Sequence, residues 1–96
     1  MIRVVIADDH PVVRAGLRAL LEHEDDLTVV GEAATPDDAF ALVQTVNPSV
    51  VLMDLQFGER ESGADVTRRI RALDAAPYVL VLTNYDTDGD ILGAVE

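Results

Sequence analysis

Ile2-Arg3-Val4-Val5-Ile6-Ala7-Asp8-Asp9 opens the chain with a short, β-branched apolar run that ends on two adjacent acids. The run is continuous rather than alternating, so it reads as a strand covered on both faces, as in a parallel sheet. It is also far too short for a signal-peptide core or a membrane span. Three further runs share its character, at residues 27–30, 50–53 and 78–82.

Helical spacing fills the gaps between these runs. Val13, Leu17, Leu20 and Leu21 lie on one face of a first helix, Ala39, Leu42, Val43 and Val46 on a second, and Val66, Ile70 and Leu73 on a third. Pro11 and Pro36 sit where a first helical turn tolerates a missing N–H, Thr35 can cap, and Asn47-Pro48 ends the second helix. Residues 87–96 carry Ile91, Leu92 and Val95 at helical spacing but also Gly89 and Gly93, which predicts a weak, mobile fourth helix. Strict strand–helix alternation with right-handed crossovers predicts an α/β fold, a doubly wound parallel sheet whose functional crevice lies beyond the carboxyl ends of its strands. Residues 1–96 read as one domain.

Composition narrows the chemistry. The 49% hydrophobic content includes two Phe, two Tyr and no Trp, so Val, Leu, Ile and Ala must build the core. A net charge of -11, from 18 acids against seven arginines and no lysine, disfavours nucleic-acid or anionic-membrane binding by this segment and suits a cation or a basic partner. The absence of Cys excludes disulfides and thiolate chemistry and is compatible with a cytoplasmic location.

Just past the strands stand Asp8 and Asp9 after the first, Asp54 after the third and Thr83 after the fourth, whereas the second delivers only Gly31, Glu32 and Ala33. Three converging carboxylates repel unless protonated or neutralised, and a hard divalent ion such as Mg²⁺ is the economical solution. With a metal beside it, Asp54 is a candidate nucleophile toward phosphorus and Thr83 a hydroxyl donor. An acid pair alone is more often a cap or a turn than a functional site. His10 and His23 read as exposed residues at opposite ends of the first helix, and Arg68, Arg69 and Arg71 as a solvated helix face.

In order and spacing these residues resemble the receiver domains of two-component response regulators. Ala7-Asp8-Asp9-His10-Pro11-Val12-Val13-Arg14-Ala15-Gly16-Leu17 is similar to the subfamily whose output is a LuxR-type or FixJ-type (NarL-type) helix-turn-helix. Val51-Leu52-Met53-Asp54-Leu55 resembles the phosphoacceptor strand, and Val81-Leu82-Thr83-Asn84-Tyr85-Asp86 the fourth strand and its following turn. The resemblance implies a flavodoxin-like (CheY-like) sheet of strand order 2-1-3-4. It also implies phosphorylation of Asp54 by a sensor histidine kinase, Mg²⁺ bound by Asp9, by Asp8 through water, by Asp54 and by the Gln56 main-chain carbonyl, and a Thr83 switch. DNA would be reached only through an output domain outside this chain, and no chemistry is implied beyond the domain's own phosphorylation and dephosphorylation.

Two departures accompany the resemblance. Residues 55–62 replace a shorter Pro-Gly-like loop, and the sequence stops at Glu96, before the expected fifth strand, its lysine and the last helix. The missing lysine predicts slow phosphate acceptance, and an uncovered fourth strand predicts homodimeric or swapped association through strand and helix four. A phosphorylation-independent interaction module is the competing reading. Haloacid-dehalogenase-like, flavin and cobalamin readings rank lower, because Asp8-Asp9 is not Asp-x-Asp, Val13 stands where a cobalamin motif needs glycine, and no Gly-rich phosphate loop follows the first strand.

Overall fold

The computed structural model describes residues 1–55 and 63–82. In chain order these form β1 (Ile2–Ala7), α1 (Pro11–Glu22), β2 (Leu27–Ala33), α2 (Pro36–Val46), β3 (Val50–Asp54), α3 (Gly63–Arg71) and β4 (Tyr78–Leu82). The four strands make one parallel sheet in the order β2-β1-β3-β4, as the alternation and the resemblance predicted. Gln56, Thr83 and the predicted fourth helix over 87–96 lie outside the described residues, as does all of the 55–62 loop after Leu55.

Strand side chains alternate between faces, and the core divides accordingly. Val5, Ala7, Val51 and Met53 point toward α2 and α3, where Ala39, Val43, Val66 and Ile70 close over them. Val4, Ile6 and Leu52 point the other way, toward Leu17 and Leu21 of α1. The apolar runs are continuous because each central strand is covered on both sides.

Helix ends follow their sequence signals. The Thr35 hydroxyl accepts a hydrogen bond from the Asp38 N–H at 3.2 Å, satisfying one of the donors that a helix start leaves open. Asn47 takes the left-handed conformation, φ 48°, and stops α2 before Pro48.

Two expectations are corrected. The first-helix stripe is narrower than its spacing suggested: Leu17 and Leu21 pack, but Leu20 is 68% exposed and α1 buries no residue fully. One helix laid over β1 and β2 covers a strip too narrow for four apolar positions. The second strand runs three residues beyond the expected 27–30, because its ladder with β1 continues through Val5↔Gly31, Ile6↔Glu32 and Ala7↔Ala33. The register shifts between Val4 and Val5, so β2 carries one extra residue there. Val30 and Ala33 consequently face the α2 side, while Glu32, paired with Ile6, faces α1. Gly31 leaves room for Leu42, whose Cδ2 would lie 2.8 Å from an added Cβ.

Candidate functional site

The carboxyl ends of β1 and β3 are adjacent, with Ala7 level with Met53, so the next residue of each strand brings Asp8 beside Asp54. Both acids are buried, at 6% and 3% exposure, while the Asp9 side chain remains 41% exposed. Backbone hydrogen bonds hold the two ends: the Asp8 N–H donates to Ala33 O at 3.1 Å, and the Leu55 N–H to Leu82 O at 2.9 Å. The Asp8 Oδ1 accepts from the His10 N–H at 2.7 Å, a turn that an aspartate makes with the backbone two residues on. The α3 N-terminus is pinned behind Asp54, since the Gly63 N–H donates to Leu55 O at 3.0 Å.

Sequence reasoning left His10 as an exposed helix-end residue. Its side chain is 54% exposed, yet its ring faces the acids: Nδ1 lies 2.8 Å from Asp8 Oδ1, 3.0 Å from Asp9 Oδ1 and 3.9 Å from Asp54 Oδ2. The hydrogen bond with Asp8, then the charge of Asp9, raise its pKa above the ordinary 6.5. When protonated, this imidazole sets a positive charge among the three carboxylates. Because the folded value is the higher one, the associated stability is complete below pH about 6.5 and fades as pH rises through the elevated value. A proton NMR titration of metal-free protein should place the His10 midpoint above 6.5, and Asp8→Asn should return it toward that value. A wild-type midpoint at or below the ordinary value would contradict the geometry.

Arg14, also missed, donates from Nη1 to the Asp8 carbonyl at 2.7 Å and from Nε to Glu32 Oε1 at 3.2 Å. Glu32 in turn pairs with Arg18, whose guanidinium it holds above its ordinary pKa. The second strand therefore places an acid against Arg14, a contact that its sequence did not announce. Arg68 pairs with Asp65, and Arg69 lies 4.4 Å over the Phe40 ring and 3.4 Å from Asp37, so these arginines serve the helix surface as expected.

One ligand atom from each of Asp8, Asp9, His10 and Asp54 lies within 4.8 Å of all the others. An octahedral Mg²⁺ about 2.1 Å from its ligands spaces them roughly 3 to 4 Å apart, a spacing compatible with the span of this cluster. The donor set fits a hard cation, with oxygens from the acids and room for waters on the exposed Asp9 side. No helix among the described residues is long and apolar enough to cross a membrane.

Comparison with known proteins identifies the family to which this fold belongs. The chain is 38% identical over 96 residues to the transcriptional regulatory protein LiaR of Bacillus subtilis, covering 100% of this chain and 45% of that protein. It thus spans less than half the length of that curated relative. A LuxR-family two-component response regulator from Aurantimonas sp. SI85-9A1 superposes with a TM-score of 0.82 at 36% identity, over 99% of this chain and 67% of the other. The isolated receiver domain of RcsB from Salmonella enterica serovar Typhimurium, solved in the presence of the phosphomimetic BeF3−, gives 0.80 at 29% identity, over 98% and 69%. The response regulator receiver domain family matches residues 4–96, and the chain belongs to that family, with its relatives among the LuxR-type transcriptional regulators.

Proposed function

We propose that this receiver domain accepts a phosphoryl group on Asp54 from the phosphohistidine of a sensor kinase and thereby controls a C-terminal helix-turn-helix domain that binds DNA. The observation that carries the reading is the gathering of Asp8, Asp9 and Asp54 within 4.8 Å at the carboxyl edge of the sheet. A carboxylate oxygen of Asp54 attacks phosphorus, the donor P–N bond breaks, and the leaving imidazole takes a proton, leaving an acyl phosphate on Asp54. Asp9 and Asp54 would hold Mg²⁺ directly and Asp8 through water, with the Gln56 carbonyl completing the protein ligands. When bound, the ion neutralises charge on the phosphoryl oxygens. The Thr83 hydroxyl would then follow the phosphoryl group inward, biasing two conformations of the face around β4. The domain's chemistry is confined to itself, and the setting is cytoplasmic.

The test is incubation with acetyl phosphate and Mg²⁺ of a polypeptide continued beyond Glu96 to the length of its relatives. One phosphate per chain is expected, and none after chelation of the metal. The 96-residue chain, which has no lysine to neutralise a phosphoryl oxygen, should accept it slowly. Absence of incorporation into the longer polypeptide, with kinase as well as acetyl phosphate, would refute the reading.

Self-association through β4 and the segment after it belongs to the same proposal. Tyr78, Leu80 and Val81 are 84%, 56% and 38% exposed on a strand with no outer neighbour among the described residues. An apolar edge of this kind pairs readily with a second chain. Light scattering of the 96-residue chain at high concentration should give a dimer mass, and Leu80→Lys should shift it toward monomer. A monomer throughout would end this part of the reading.

A further inference from the structure

The geometry points to Arg14 as a positioning residue for the metal site, held in place by Glu32 of β2. The inference rests on the metal reading above and names what keeps that site in shape. Arg14 Nη1 donates to the Asp8 carbonyl at 2.7 Å. The peptide from Asp8 to Asp9 is planar, so fixing that carbonyl fixes the plane from which the Asp9 side chain departs. A charged donor makes the stronger kind of hydrogen bond, and this side chain is only 18% exposed. The same turn is held from its other side by the His10 N–H on Asp8 Oδ1. Asp8 is thereby gripped at its carbonyl and at its carboxylate by two residues that belong to α1 or cap it.

Arg14 is itself constrained. Its Nε meets Glu32 Oε1 at 3.2 Å, and the other Glu32 oxygen is taken by Arg18, whose Nε reaches Glu22 at 3.0 Å. Glu32 is on the α1 face only because of the extra residue in β2. With the alternation of Leu27 and Val29 continued unbroken, residue 32 would fall on the α2 face, since a one-residue slip reverses every later side chain. The irregularity thus carries a carboxylate to the one place where it can orient Arg14, and a bulge beside a functional edge commonly redirects a side chain in this way. An ordinary surface ion pair tying α1 to β2 would contribute little and would not involve the Asp8 carbonyl.

The test measures metal affinity and metal-free stability separately on the 96-residue chain. Mn²⁺ is titrated by the loss of its free-ion EPR signal, with Mg²⁺ as competitor, and thermal unfolding is recorded without metal. Outer-sphere groups that orient ligands typically cost about tenfold or more in affinity when removed. Arg14→Gln is expected to weaken Mn²⁺ and Mg²⁺ binding by about that factor, and Glu32→Gln by less. The double variant should be no worse than Arg14→Gln alone, because both act through one guanidinium. Arg14→Lys, a point charge that can reach the carbonyl or Glu32 but not both, should recover part of the loss. A purely structural tie would lower the unfolding temperature and leave the affinities where they were. Affinities within twofold of wild type in folded Arg14→Gln, or additive losses in the double variant, would overturn the inference. If Arg14→Gln does not fold, Glu32→Gln decides it by the same criterion. A wild-type chain that takes up no Mn²⁺ removes the metal reading and this inference with it, whereas a binding wild type with unaffected variants removes this inference alone.

Discussion

Asp54→Asn is expected to abolish phosphate incorporation while making the metal-free fold more stable. The amide keeps the shape of the side chain but offers no anionic oxygen to attack phosphorus, so incorporation should fall to background. Stability should move in the opposite direction. Two unit charges 4.8 Å apart, the span of the cluster, repel by about 3 kcal/mol at an effective dielectric near 20. Asp54 is 3% exposed, so water screens the repulsion it shares with Asp8 and Asp9 only weakly. Removing the charge should therefore stabilise the metal-free protein by about 1 kcal/mol, a rise of several degrees in Tm for a domain of this size. Paired measurements of phosphate stoichiometry and thermal unfolding check both halves. Retained incorporation would exclude Asp54 as the acceptor, and a lower Tm would show that the charges are not in conflict. Opposite signs also exclude misfolding as the cause of the lost chemistry.

Gly63→Ala should produce the largest stability loss of any Gly→Ala change among the described residues. A Cβ at this first position of α3 would stand 1.9 Å from the Asp54 carbonyl oxygen, 2.9 Å from its carbon and 3.0 Å from Leu55 Cα. All three are backbone atoms, and the Gly63 N–H already bonds Leu55 O, so neither side can step back without breaking the joint between β3 and α3. Overpacking costs typically 1–3 kcal/mol when side chains can adjust, and here only backbone can, so about 3 kcal/mol or more is expected. That is a large share of a marginal stability. The displaced backbone belongs to the proposed phosphoacceptor, so phosphate acceptance should also fall by about two orders of magnitude in whatever fraction remains folded. Gly31→Ala supplies the contrast, because the nearest atom is the mobile end of Leu42 at 2.8 Å. It should cost under about 1.5 kcal/mol. Urea unfolding of both variants measures the difference, and equal midpoints would show that the Asp54–Gly63 contact is not tight.

The layers, and the sheet edge at which the acids gather, were legible from local patterns alone. Apolar runs such as Val4 to Ala7 and helical stripes such as Val66 and Ile70 are local patterns, and right-handed crossovers turn their alternation into one sheet with one functional edge. Asp8, Asp9 and Asp54 were legible because each directly follows or ends such a run. What surrounds them emerges only in three dimensions: the His10 ring turned onto the acids, the Glu32–Arg14–Asp8 chain and the approach of Gly63 to Asp54. Apart from His10, these are contacts between separate elements, and the Glu32 contact hangs on a one-residue slip in β2 that leaves no mark in composition or periodicity. Local patterns report which face is apolar. They cannot report which atom meets which across a bulge, because that depends on register, and register is set by the whole sheet.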